Sequence, residues 1–324
     1  MQIRTMVRVI ALLTVTCLAL RGLAWGFHAH RLINRYAVYT LPPDLFALYK
    51  PAIDHLAAHA VDPDRRRYAV RGEACRHYID LERYGRPSAI DLPRRWPDAV
   101  ERHGLDTLVA YGILPWAIRW ELDDLVDAFR AGDRAAILRH SADLGHYVAD
   151  AHVPLHTSIN YDGQRTGQHG IHAFWESRVP ELFSDDYDYW LGRAVAWNPV
   201  DSAVWAIVLD SHRRVDSVLS IERDLRARWD PDRVHVTDVR GSSTTRAFAP
   251  DYAAAYEQAL NGMVRRRLRR AVRAVGSAWT TAWILAGRPA PDGSLDTVAA
   301  PPDTLRILTD VDPVVRPHRG TGGP

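Results

Sequence analysis

The sequence predicts an all-α protein built as one large helical domain. Apolar residues recur at helical spacing along most of the chain, and no strong run of strand-like alternation appears. The most distinctive chemical groups, His146 with Asp150 and His172 with Glu176, are each spaced one helical turn apart.

Taken in order, residues 28–39 carry apolar positions at helical spacing, Pro42-Pro43 punctuates, and the pattern resumes over 44–59. Residues 60–75 are polar and read as irregular, with the turn signal Asp62-Pro63-Asp64. Residues 105–130 form a long amphipathic pattern with a kink or break expected at Pro115, where the ring removes a helical hydrogen bond. Gly132-Asp133 separates it from 134–152, which Pro154 ends. Residues 157–170 read as a polar loop, and a helix begins near Ile171. Two further long helices are expected over 200–228 and 251–286, with 229–249 polar and looped between them. The arginine cluster Arg265, Arg266, Arg267, Arg269, Arg270 and Arg273 reads as a solvated helix face. From Gly287 Pro and Gly accumulate, and 289–324 reads as a disordered tail.

The chain opens like a secretory signal: Arg4 and Arg8, an apolar run from Val9 to Leu20, then Gly22-Leu23-Ala24. Residues 1–24 are therefore expected to be removed after Ala24, making Trp25 the first residue of a secreted or periplasmic protein, with 25–288 as the single helical domain. The run is short for a membrane span, and no second one follows. Removing Arg4, Arg8 and Arg21 turns a formal net charge of +2 slightly negative, so net charge gives no hint of nucleic-acid affinity. Cys17 leaves with the signal. Cys75 then stands alone, which excludes an intrachain disulfide. At 47% hydrophobic and 25% charged residues, the composition supports a sizeable core.

The stretch from Gly145 to His156 places its residues as H-x3-D-x5-H, and His172-Ala173-Phe174-Trp175-Glu176 follows as H-x3-E. Residues i and i+4 share a helix face, so each pair makes a His–carboxylate pincer. Imidazole and carboxylate are ligands that zinc favours. A lone pair of this kind is more often a surface ion pair worth a few tenths of a kcal/mol. Two pincers set among Tyr147, Val148, Ala151, Val153 and Leu155 point instead to a polynuclear metal site, because a buried carboxylate needs a partner. Further candidate ligands lie upstream in Trp25-x4-His30, in Asp62-Pro63-Asp64-Arg65 and at His77.

Together these motifs resemble the zinc-dependent phospholipase C and single-strand-specific nuclease superfamily. Trp25-x4-His30 and Asp62-x2-Arg65 are similar to the nuclease branch. His146-x3-Asp150-x5-His156 is similar to the central motif of both, while Glu176 and the short interval from His156 to His172 are closer to the phospholipases. The resemblance implies a secreted all-helical hydrolase of phosphate esters with three zinc ions. Asp62, His77, His146 and Asp150 would hold the first, and His156, His172 and Glu176 the second. Trp25, through its amine and carbonyl, would hold the third with His30 and a bridging Asp150. Asp64 and His28 are the alternatives to Asp62 and His30. Asp62 is also the implied catalytic group, orienting a zinc-bound water. The implied substrate is a phospholipid or another phosphodiester, with membrane-surface contact and a monomeric state. Single-stranded nucleic acid, with Tyr161 or Trp175 stacking on a base, is the alternative. A metal-binding protein without catalysis is the third reading.

Overall fold

The structure, a computed structural model, describes residues 26–85, 92–240 and 243–289. The proposed signal, Trp25 and the tail beyond residue 289 lie outside them. Nearly all the regular structure is helical. α1 (Phe27–Ala37), α2 (Pro43–Tyr49), α3 (Ile53–His59) and α4 (Asp62–Arg66) lead into a 3-10 turn at Ala74–His77. α5 (Trp96–His103), α6 (Leu105–Tyr111), α7 (Leu114–Ala131) and α8 (Arg134–Asp150) follow. A second 3-10 turn at Pro154–Thr157 precedes α9 (Ile171–Ala173), which continues through a π-helical turn at Phe174–Arg178 into α10 (Val179–Phe183). α11 (Val200–His212), α12 (Val215–Arg226), the strands β1 (His235–Arg240) and β2 (Ser243–Phe248), α13 (Pro250–Ala259) and α14 (Met263–Leu285) complete the order.

The centre of the bundle is α8. It packs on α7, α1, α3 and α14, and it is buried along almost its whole length. Its start is capped by Asp133, whose side chain accepts from the Ala136 amide at 3.0 Å. Gly132 ends α7 in the left-handed region that glycine adopts without penalty. α14 crosses the bundle with Trp279 fully buried and its indole donating to the Ser141 carbonyl at 2.9 Å. The buried Arg267 reaches from α14 to the His152 carbonyl and to Asp210, tying α14 to the end of α8 and to α11.

Several segments differ from their expected form. The break in 105–130 falls at Gly112-Ile113, and Pro115 sits in the first turn of α7, where a missing amide hydrogen costs nothing. Gly112 is required there, because a Cβ would collide with the Tyr78 carbonyl. Residues 200–228 divide at Arg213-Arg214, and 251–286 divides at Asn261-Gly262, where Asn261 and Gly262 have positive φ. Residues 60–75 hold the short helix α4. Within 229–249, expected as loop, β1 and β2 pair antiparallel from His235 opposite Phe248 to Arg240 opposite Ser243.

α1 and α8 approach most closely at Gly145. A Cβ there would run into the Asn34 side chain, whose amide donates to the Ala142 and Leu56 carbonyls. Helix propensity alone would make Gly145→Ala stabilising by about 1 kcal/mol. Overpacking and a displaced buried amide cost about 1–3 kcal/mol each. Urea unfolding of Gly145→Ala is therefore expected to show a net loss of about 1–5 kcal/mol; a gain would show that Asn34 yields freely.

Candidate metal centre

The last turn of α8 presents His146 and Asp150 to one side, as their spacing requires. Four other segments converge on them: His30 from α1, Asp64 from α4, His77 from the first 3-10 turn and His156 from the second. All six side chains are buried. Asp150 Oδ2 lies 3.0 Å from His77 Nδ1 and 3.2 Å from His146 Nε2. Its Oδ1 lies 3.4 Å from His30 Nε2 and 3.7 Å from His156 Nδ1. Asp64 Oδ1 lies 3.7 Å from His77 Nδ1 and 3.8 Å from His146 Nε2. The His30 and His146 rings stack at 3.9 Å. A second group adjoins the first, with Glu176 Oε2 at 3.1 Å from both His156 Nε2 and His172 Nε2. The π-helical turn carries Glu176, and such insertions are frequent at functional sites.

These side chains fit a metal ion. Tetrahedral coordination with bonds near 2.0–2.1 Å puts ligand atoms roughly 3.3 Å apart, the range seen around Asp150. Both ring nitrogens of His30, both oxygens of Asp64, Asp150 Oδ1 and Glu176 Oε1 are buried without a hydrogen bond. Each such atom costs about 1–3 kcal/mol when nothing satisfies it, and a divalent cation satisfies several at once. Three ligand groups can be drawn: His30, Asp64 and His146; His77, His146 and Asp150; and His156, His172 and Glu176. Outer partners set the ring orientations. His146 Nδ1 bonds the Ala60 carbonyl at 2.8 Å, and His156 Nδ1 bonds the His77 carbonyl. A carbonyl accepts only from N–H, so these bonds assign the proton to Nδ1 and leave Nε2 as the donor atom for a metal.

The sequence-based choice between Asp62 and Asp64 is corrected by this geometry. Asp62 faces solvent, where it bonds His59 Nδ1 and accepts from Arg65 at 2.8 Å. Two positions apart on a helix, the carboxylates point to opposite sides, so only one can face the cluster. With Asp64 inside, the arginine three residues on is Arg67 rather than Arg65. Arg67 is buried, its Nε has no hydrogen bond, and its charge acts on Asp64 and His77. His30 is the inward histidine of its pair, while His28 bonds Ser184 Oγ at 2.8 Å. Trp25 lies outside the described residues, but the Gly26 amide donates to Ser177 Oγ at 2.9 Å, beside Glu176. His152 is buried away from the cluster, bonded to the Val148 carbonyl, and His169 is exposed.

Behind His77 lies a buried charge network with no motif to announce it. Glu73 Oε1 approaches His77 Nε2 at 3.4 Å, and Glu73 accepts from Arg66 at 2.9 Å and from the Tyr147 hydroxyl. Arg66 also pairs with Asp143 at 2.8 Å. Glu121, Asp124 and His140 come close as well, but His140 spends one nitrogen on Glu121 at 2.6 Å and the other on Arg139 at 2.9 Å. Searched against family models and against curated proteins, the chain matches none.

The electrostatics follow from gathering acids and imidazoles out of water. Burial opposes ionisation of Asp150, but His146 and His156 outweigh it and hold the carboxyl well below its usual range. Burial pushes Asp64 up to about 6, against the pull of His77 and His30; a bound cation would reverse that shift. Burial lowers His156 too, yet Asp150 and Glu176 overcome it and raise the group to about 9. In metal-stripped protein the His156 charge therefore stabilises the fold fully below its unfolded value near 6.5, and that contribution is lost as pH rises through about 9. Metal binding has the opposite dependence, because ligand imidazoles must shed their protons. Melting temperatures are expected to fall from about pH 6.5 to 9 after chelation but not in the metal-loaded protein. The same slope in both forms would show that the cluster holds no metal.

Proposed function

We propose that the protein is a secreted, zinc-dependent hydrolase of phosphate esters, of the phospholipase C type. The observation that carries this reading is the position of Asp150, whose two oxygens face different imidazoles and so suit a carboxylate shared between ions. The nitrogen-and-oxygen donor set suits zinc, as it also suits iron, nickel or copper, and zinc is the ion that the resemblance implies. The fold type is proposed to be that of the zinc phospholipase C and nuclease superfamily, with secretion following cleavage near Ala24. Among the described residues no helix is long and apolar enough to cross a membrane.

His77, His146, Asp64 and Asp150 would hold one ion, and His156, His172 and Glu176 a second. His30, Asp150 and the Trp25 amine would hold the third. Bound zinc supplies a water acidic enough to ionise near neutral pH and a charge that polarises phosphoryl oxygens. The chain does the rest. Asp64, in the place assigned to Asp62 by spacing, accepts or orients the proton of the attacking water. Arg67, buried, with no ion pair among the described residues and with its charge acting on Asp64 and His77, would be a partner for an anionic phosphoryl group. The α-amine of Trp25, with an ordinary pKa near 7.7–8.0, loses its proton to a metal at little cost once the signal is removed.

The lipid reading rests on Glu176 and the short loop before His172. Nuclease action is the second reading, favoured by Tyr161, a half-buried aromatic ring 6.2 Å from the His172 ring and able to stack on a base. Trp175 cannot take that role, because it is fully buried in the core.

The test is a paired assay on secreted, zinc-loaded protein with phosphatidylcholine in one arm and single-stranded DNA and RNA in the other. Chelator-sensitive lipid turnover alone is expected; chelator-sensitive nucleic-acid cleavage alone would transfer the protein to the nuclease reading, and neither would refute both. His146→Ala is expected to lose zinc and activity together, and full activity at normal zinc content would sink the assignment. Arg67→Ala is expected to keep its zinc and lose about 10²-fold in kcat; unchanged turnover would remove Arg67 from the phosphate contact.

A further inference from the structure

His77 differs from two other histidines of the cluster in the nitrogen it presents. His146 and His156 bond backbone carbonyls through Nδ1 and turn Nε2 inward. His77 does the reverse. Its Nδ1 lies 3.0 Å from Asp150 Oδ2, 3.0 Å from His146 Nε2 and 3.7 Å from Asp64 Oδ1, so Nδ1 is the atom that would meet an ion. The other nitrogen has no carbonyl to hold it. His77 Nε2 is buried without a hydrogen bond, and Glu73 Oε1 stands 3.4 Å away.

A neutral imidazole carries one ring proton. A cation on Nδ1 therefore leaves that proton on Nε2, directed away from the cluster into the protein interior. A buried N–H there needs an acceptor. Glu73 is placed to be it. The residue sits four positions before His77, is 1% exposed, and needs to close by only about 0.5 Å to make an ordinary N–H···O bond.

The carboxylate is held in place from behind. Arg66 Nε donates to Glu73 Oε2 at 2.9 Å, while Arg66 Nη2 donates to Asp143 at 2.8 Å. The Tyr147 hydroxyl donates to Glu73 Oε1. A carboxylate oxygen has two lone pairs, so that bond leaves Oε1 able to accept from His77 as well. Asp143 and Tyr147 lie one turn apart on α8, as do His146 and Asp150. The helix that supplies two candidate ligands thus also supplies the clamp on the group behind a third.

We infer that Glu73 is a positioning residue of the metal centre, which accepts the Nε2–H of His77 and so fixes Nδ1 as the nitrogen that faces the ion. Carboxylates in this relation to a ligand histidine orient the ring and strengthen it as a donor. The inference rests on the metal reading of the cluster, and its test reads zinc binding rather than turnover.

Two measurements test it. In zinc-loaded wild-type protein carrying 15N-labelled histidine, NMR is expected to show His77 with its proton on Nε2 and Nδ1 bound to metal. The opposite tautomer would overturn the inference, and this reading needs no variant to fold. Competition with a chelator is expected to show zinc held about 10–100-fold more weakly by Glu73→Ala. Glu73→Gln, which keeps an acceptor oxygen, is expected to recover part of that loss. In a His77→Ala background, Glu73→Ala should weaken zinc no further, because the group it acts through is gone. Unchanged affinity in Glu73→Ala, no recovery in Glu73→Gln, or an equal loss in both backgrounds would overturn the inference. Wild-type protein that takes up no zinc would refute the metal reading and this inference with it. Zinc held as expected without phosphodiester turnover would refute the hydrolase reading alone.

Discussion

The arrangement depends on one buried anion. The Asp150 carboxylate sits in the middle of the bundle with imidazoles on both of its oxygens, and none of those groups reaches water. An isolated carboxylate in such a place would cost several kcal/mol and would take up a proton. Four histidines from four segments of the chain keep it ionised, and every one of those segments must be in place for that to hold. Fold and site are therefore one requirement. The close approach of α1 to α8 at Gly145 is what brings His30 over His146, and the turn ended by Val153-Pro154 brings His156 back to Asp150.

Around that centre the charges are layered. Backbone carbonyls of Ala60 and His77 hold the outer nitrogens of His146 and His156. Glu73, Arg66, Asp143 and Tyr147 form a second set behind His77, each satisfied by the next. Buried networks of this kind stiffen the site they back only when fully paired. Several inner atoms contrast with these, since both ring nitrogens of His30, both oxygens of Asp64, Asp150 Oδ1 and Glu176 Oε1 are buried with no hydrogen bond. Buried imidazole and carboxylate atoms left without hydrogen bonds in this way could hold a metal ion.

Much of this was legible in the sequence because it is local. The pincers His146–Asp150 and His172–Glu176 follow from helical spacing alone, and so does the helical class. What failed was whatever depends on which side of a short segment faces inward. Asp62 and Asp64 are both plausible by spacing, and only the packing of α4 decides between them. Glu73 belongs to no motif, and Arg67 takes the arginine place of the D-x2-R spacing only once Asp64 is known to be the inward acid. The hairpin of β1 and β2 scatters its few apolar residues, Val236, Val239, Ala247 and Phe248, over both faces and so lacks the alternation that announces a strand. Pro115 marks a kink or break in 105–130, and the break falls just before it, at Gly112-Ile113, because a proline at the first turn of a helix and one in its middle look alike in a single sequence.

The most direct measurement is anomalous X-ray diffraction at the zinc edge on crystals of the zinc-loaded protein. Peaks within coordinating distance of both Asp150 oxygens, and one between His156, His172 and Glu176, are the predicted result. Maps without a peak at Asp150, with His30, Asp64 and His146 in ordinary hydrogen bonds to one another or to water, would contradict the account.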